Sequence, residues 1–254
     1  MLPSLIRKAS CAAALSLVGL LAADASAADV QFNNGHLRIK FSQDSPESIQ
    51  VTDAGPLLVA VLVDEGFGAG MRLFGMYLGV TNISVKGSRL RDVFAAYVTI
   101  TGNLTIKSGA GDDDVYVGGI VARNVKISLG AGDDLLEGFQ TITGGSYTAK
   151  GGAGDDRFSF QVEMLISSSM SLDLGKGDPT GNEDVALFND AKTIQKTLSI
   201  KLSKQGDQDV VLENLTADKV IIRGGKGDNE LDLTGGGNAI DEVTTQKVEA
   251  TLLP

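Results

Sequence analysis

The chain has 254 residues but only one cysteine, one histidine, five prolines and no tryptophan. A lone histidine, His36, excludes multi-histidine metal centres and is a poor basis for a Ser-His-Asp triad. It closes an Asn33-Asn34-Gly35-His36 turn and reads as a surface residue. The only cysteine, Cys11, lies in a segment expected to be cleaved, so the mature chain has neither a disulfide nor a thiol nucleophile. Basic residues are scarce, 22 Lys plus Arg against 32 Asp plus Glu, for a net charge of −10. That balance lacks the basic footprint nucleic acid requires. Aromatics are only 5%, so the core is built from Val, Ile and Leu, and Tyr97, Tyr116 and Tyr147 are the few platforms a sugar ring could stack on. No apolar stretch beyond the N-terminus reaches membrane-span length; the run from Pro56 to Val63 is strand-sized. Amphipathic patterns of a dozen residues are missing as well. The acids are 23 Asp and 9 Glu, and Asp collects at turns, caps and cation sites whereas helical proteins favour Glu. A helical protein is excluded on these grounds.

What is present begins with an address. Arg7 and Lys8 precede a small-residue apolar run from Cys11 to Ala23, followed by Ala25-Ser26-Ala27. A charged start, a short apolar centre and an A-x-A site make a secretory signal peptide cut after Ala27. Cleavage removes Arg7, Lys8 and Asp24 and leaves the mature chain one charge more negative. The expected destination is the periplasm or the exterior.

A repeat of about 22 residues organises the remainder. Four segments align: Ser108-Gly-Ala-Gly-Asp-Asp-Asp-Val115, Leu129-Gly-Ala-Gly-Asp-Asp-Leu-Leu136, Gly151-Gly-Ala-Gly-Asp-Asp-Arg-Phe158 and Gly224-Gly-Lys-Gly-Asp-Asn-Glu-Leu231. A fifth, Leu174-Gly-Lys-Gly-Asp178, is interrupted by residues 179–184, read as a surface insertion. From Gly109 to Gly130 is 21 residues, to Gly152 another 22, and to Gly175 another 23. Each turn follows a segment alternating at period two, such as Leu104 and Ile106 or Val125 and Ile127, the mark of a strand with one buried face. A second short strand follows each turn, as in Val115-Tyr116-Val117. The same alternation places Val59, Val61 and Val63 one coil after Leu37, Ile39 and Phe41, with Ile83 and Val85 one coil further. Constant coil length argues against a sandwich, whose hairpins vary. The expected fold is all-β, a right-handed parallel β-helix (β-solenoid) of roughly ten coils, about 4.8 Å apart. Residues 28–80 form N-terminal coils and a cap, 81–235 the regular coils, and 236–254 a final coil or cap.

The Gly151 segment fits the nonapeptide G-G-x-G-x-D-x-U-x throughout, with Asp156 at the sixth position and Phe158 as the large apolar residue. Here the chain resembles the RTX (hemolysin-type) calcium-binding repeat proteins, which are bacterial and exported. The resemblance implies Ca²⁺ held between stacked turns. Asp113, Asp134 and Asp156 would be side-chain ligands, with Gly109, Gly111, Gly130, Gly132, Gly152 and Gly154 shaping the loops. Asp112, Asp133 and Asp155 lie beside them, and Asp178 and Asp228 take the matching place in the two later copies. RTX repeats follow one another every nine residues or so; here one motif occurs per 21–23.

The physical case is independent of the family. Coils stacked in register put Asp113, Asp134 and Asp156 in one column and Asp112, Asp133 and Asp155 in another. Unit charges about 5 Å apart repel by roughly 1 kcal/mol in water and about 3 kcal/mol at an effective dielectric of 20. A cation between them converts repulsion into cross-linking, and flexible oxygen-rich loops suit Ca²⁺ better than Mg²⁺. If Gly87 is equivalent to Gly109, Arg91 falls beside Asp113 and Arg89 beside Gly111, so that Arg91 caps the column. The alternative is an Asp/Gly corner that needs no ion, its carboxylates accepting backbone N–H groups. The expected function is a non-catalytic, exported, calcium-binding structural or adhesive protein. Its partner would be a cell-surface polysaccharide or another exported protein. A polysaccharide lyase or hydrolase on the same scaffold, using Arg89, Arg91, Arg123 or Arg157, is the rival.

Overall fold

Alternate residues along each regular strand are buried, as in Leu104–Ala110, Val125–Ala131 and Tyr147–Ala153, and this period fixes which side of every strand faces the core. The computed structural model describes residues 28–251 apart from 44–46, 65–69, 122, 162, 178–184, 189–191, 204–207, 226–228 and 234–236. The expected signal peptide and the 179–184 insertion therefore lie outside the described residues.

The strands stack in parallel ladders. On the first face His36–Lys40 is followed by Asn82–Lys86, Leu104–Ala110, Val125–Ala131, Tyr147–Ala153, Met170–Lys176, Lys192–Lys201, Leu215–Arg223 and Ala239–Gln246. On the second face Ser48–Gly55 is followed by Val93–Tyr97, Asp114–Val121, Leu135–Thr143, Arg157–Gln161, Val185–Phe188, Gln208–Leu212, Asn229–Asp232 and Glu249–Thr251. A shorter third face pairs Ile120 with Ile142, Ile142 with Leu165, and Leu165 with Thr193. The molecule is a parallel β-solenoid. Its core is one continuous cluster in which the inward columns, for example Ile83, Leu104, Val125, Tyr147 and Met170, are almost completely buried. No helix occurs among the described residues, and none is long and apolar enough to cross a membrane.

The stack has fewer turns than the roughly ten expected, and the difference begins at the N-terminal end. Leu58–Asp64, which carries Val59, Val61 and Val63, runs antiparallel between Ser48–Gly55 and Arg72–Leu78. It is a meander inserted into the second face, and the chain returns to stack Ile83 directly on Leu37. Alternation marks a strand with a buried side; it does not say in which direction that strand pairs. Arg72–Leu78 pairs only with Leu58–Asp64 among the described strands, and exposes Leu73, Phe74, Met76 and Leu78. Asp29–Asn33 closes the first face as an antiparallel hairpin partner, and its Phe32 packs on Tyr77 with ring centroids 5.6 Å apart. At the other end the last first-face strand is Ala239–Gln246, and Glu249–Thr251 pairs with Asn229–Asp232 on the second face, Ala250 in register with Leu231.

Candidate functional site, two columns of stacked aspartates

Between the first and second faces three successive coils turn through Gly-x-Gly-Asp-Asp, at residues 109–113, 130–134 and 152–156. Gly130 shows why glycine stands there: its φ is +131°, and a Cβ would collide with the carbonyl oxygen of Gly109 on the previous rung. Gly152 meets Gly130 in the same way, and Gly111, Gly132 and Gly154 form a second close-approach column. The backbones touch at these glycines, which leaves no room for a side chain there.

Such a tight corner interrupts the sheet ladder. Gly111 N–H donates to Ala131 O at 2.7 Å and Leu135 N–H to Asp113 O at 2.9 Å, leaving the N–H groups of the two intervening aspartate positions to be matched. The aspartates supply the acceptors, in opposite directions. In the inner column Asp92 N–H donates to Asp113 Oδ1 at 2.7 Å, Asp113 N–H to Asp134 Oδ1 at 2.8 Å, and Asp134 N–H to Asp156 Oδ1 at 3.3 Å. In the outer column Asp133 N–H donates to Asp112 Oδ1 at 3.0 Å and Asp155 N–H to Asp133 Oδ1 at 2.9 Å. One column binds each rung to the next and the other binds it to the one before. That reciprocity is what the Asp-Asp dipeptide provides.

The inner side chains are buried, with Asp92, Asp113, Asp134 and Asp156 at 3%, 1%, 2% and 0% exposure. Burial raises the Asp113 carboxyl to about 8, helped by the charges of Asp134 and Asp92. It raises Asp134 to about 7, with Asp112 and Asp133 adding to the effect, and it raises Asp92 as well. Backbone N–H donation works against these shifts but is outweighed. The second oxygens of Asp113 and Asp134 are buried and accept no hydrogen bond among the described residues, the arrangement expected of carboxyls that are neutral for much of the time.

Two members of this column were not anticipated. Asp92 stacks on Asp113, and buried Glu47 lies a rung earlier, its carbonyl accepting from Val93 N–H at 2.9 Å. The offset on both faces is 21 residues here, Lys86 on Lys107 and Val93 on Asp114, so Gly87 is not the equivalent of Gly109. The Arg91 cap expected from that register is overturned. Arg91 instead reaches Asp114 at 2.7 Å from an exposed position, and Leu90, rather than Arg89, lies against Gly111. The available signal was the spacing from Asp92 to Asp113 to Asp134, twice 21. The same spacing marks a neutral version elsewhere on the coil: Asn103 N–H donates to Asn82 Oδ1 at 2.9 Å and Asn124 Nδ2 to Asn103 Oδ1 at 3.1 Å. Further along the second face, Gln208 stacks on Asn229, both buried, at the mouth of their strands.

The donor set decides whether Ca²⁺ fits. The ion takes roughly six to eight oxygens converging on one point. Among the described residues no three Asp, Glu, His or Cys side chains gather in that way. The five Oδ1 atoms of Asp112, Asp113, Asp133, Asp134 and Asp156 each already accept a backbone N–H. As placed, the aspartates do not form a calcium cage. Asp178 and Asp228 lie outside the described residues. Comparison with protein-family models, curated proteins and solved structures finds no match.

Proposed function

We propose that the chain is an exported, non-catalytic β-solenoid with a structural or adhesive role, whose Asp/Gly corners hold their rungs together without a bound ion. One observation carries this reading: the carboxylate oxygens that would bind Ca²⁺ accept the N–H groups that the tight corner leaves over. The corner's leftover backbone N–H groups are thus matched by its own aspartates. The Ca²⁺-loaded corner implied by the RTX resemblance requires carboxylate oxygens to turn toward a shared centre, and no three such side chains converge among the described residues.

Nothing in the arrangement favours the enzymatic rival. Arg91 is held by Asp114, and neither of two grooves on the first face is lined by Arg89, Arg91, Arg123 or Arg157. Two assays test the proposal together. Incubation with acidic and neutral polysaccharides is expected to release no shortened product, and melting followed by circular dichroism is expected to be the same in Ca²⁺ and in chelator. Release of oligosaccharides, or a stabilisation by Ca²⁺, would overturn it.

A further inference from the structure

The chain is acidic overall, yet its cations are not scattered. Outward positions on the first face stack in register as Lys40, Lys86, Lys107, Ser128 and Lys150. These four lysines are exposed and none is in an ion pair among the described residues. Successive rungs are about 4.8 Å apart, so the row extends roughly 19 Å along the solenoid axis. It ends where Asp173 follows Lys150 and takes Lys201 as a partner at 2.8 Å.

The flanks of the row are chemically distinct. Two residues back on each strand, on the same face, stands a column that includes Ser84, Thr105 and Thr148, with Arg38 at its N-terminal end and Lys126 within it. On the other flank lies the bare backbone of Gly109, Gly130 and Gly152. Two grooves follow this line, one of about 510 Å³ that includes Lys40, Lys86, Lys107, Ser84 and Thr105, and one of about 370 Å³ that includes Lys150, Gly130 and Gly152. Asp29 borders the first groove and Asp173 the second.

We infer that this stripe binds an acidic polysaccharide laid along the solenoid axis, with carboxylates on the lysines and sugar hydroxyls on the serine and threonine column. The inference rests on the adhesive reading above and names its partner. Charge density selects the ligand class. Four cations over five rungs approach the charge density of a polymer with one carboxylate per sugar, whereas duplex DNA carries a charge every ~1.7 Å of its axis and would be repelled by the acidic remainder of the molecule. No aromatic side chain stands in either column to stack a base.

The test is titration of the mature chain into a fluorescein-labelled oligogalacturonate in calcium-free, low-salt buffer, followed by anisotropy. Dextran and a short DNA duplex serve as competitors. Binding is expected to weaken at least about tenfold when Lys40, Lys86 and Lys107 are all changed to Gln, and to fall steeply with added salt. Arg157→Gln, which removes an exposed cation from the second face, is expected to change it less than about twofold, while Ser128→Lys, which fills the gap in the row, tightens it severalfold. Circular dichroism checks that each variant is folded. No binding by the folded wild type, equal binding by the triple variant, no gain from Ser128→Lys, or competition by DNA at least as strong as by unlabelled polyuronate would overturn the inference. Shortening of the polyuronate would instead overturn the non-catalytic reading and leave the stripe standing, so the two failures are distinguishable.

Discussion

In the inner column Asp113, Asp134 and Asp156 each accept the backbone N–H of the aspartate on the neighbouring rung. Asp134 Oδ1 accepts the N–H of Asp113, so Asp134→Ala strands a buried donor and is expected to cost about 2 kcal/mol, or roughly 4–8 °C of melting temperature. Asp134→Asn keeps the acceptor and is expected to melt within about 2 °C of wild type near pH 7. The buried amides Gln208 and Asn229 show that the second face tolerates amides at the mouth of its strands. Charge gives the column a pH response. The folded values of about 7 for Asp134 and about 8 for Asp113 lie above the ~3.9 of an unfolded Asp, so the folded chain holds protons that the unfolded chain releases. The stabilisation is complete below pH ~4 and is lost as pH rises through these two values. A melting series between about pH 5 and pH 9 is expected to fall with pH, and Asp134→Asn to fall less steeply; a rise over that range would contradict the burial of neutral carboxyls. Tyr147 offers an independent check on the core. Its hydroxyl is fully buried with no hydrogen-bond partner among the described residues, so Tyr147→Phe is expected to raise the melting temperature by about 2–4 °C. The Asp-Asp columns themselves were legible in the sequence because the motif repeats at near-constant spacing. Their function as backbone acceptors was not, since spacing gives the stacking but not which atom faces which.

At the level of strands, the solenoid is carried by rungs of nearly equal length, and the sequence displays this wherever the Gly-Asp turn recurs. Where the turn is missing, the reading loses its ruler. Asp92 belongs to the column, but Ser88-Arg89-Leu90-Arg91 precedes it in place of Gly-x-Gly-Asp, and a register one residue too long put Arg91 in its position. Val59, Val61 and Val63 alternate as regularly as any rung strand, yet they pair antiparallel within a meander. Hydrophobic period records burial, and in this strand the burial comes from a different neighbour. The distinction is testable. Phe74 and Met76 lie exposed on the meander's edge, so changing both to Lys is expected to shift melting by less than about 2 °C. Val61→Lys, which places a charge at a fully buried site, is expected to abolish folding or to lower melting by more than about 10 °C. Comparable losses from both variants would mean that Arg72–Leu78 is covered.

Across the whole molecule, charge is sorted by face. Carboxyls are drawn into and along one corner, where they fasten rungs to each other, and lysines are left in a row on the adjoining sheet. This sorting lets a chain of net charge −10 present a cationic line to the outside. On the proposed reading it also divides stability from binding, with the aspartate columns governing melting and the lysine row governing the proposed attachment. The account stands on the corners being complete without metal, and melting a chain of residues 28–254 near pH 8 in millimolar Ca²⁺ and again in EGTA measures that most directly. The two midpoints are expected to agree within about 2 °C. An ion bound only by the folded state at about 1,000 times its dissociation constant would add about 4 kcal/mol, and a midpoint higher in Ca²⁺ by roughly 8 °C or more would contradict the account.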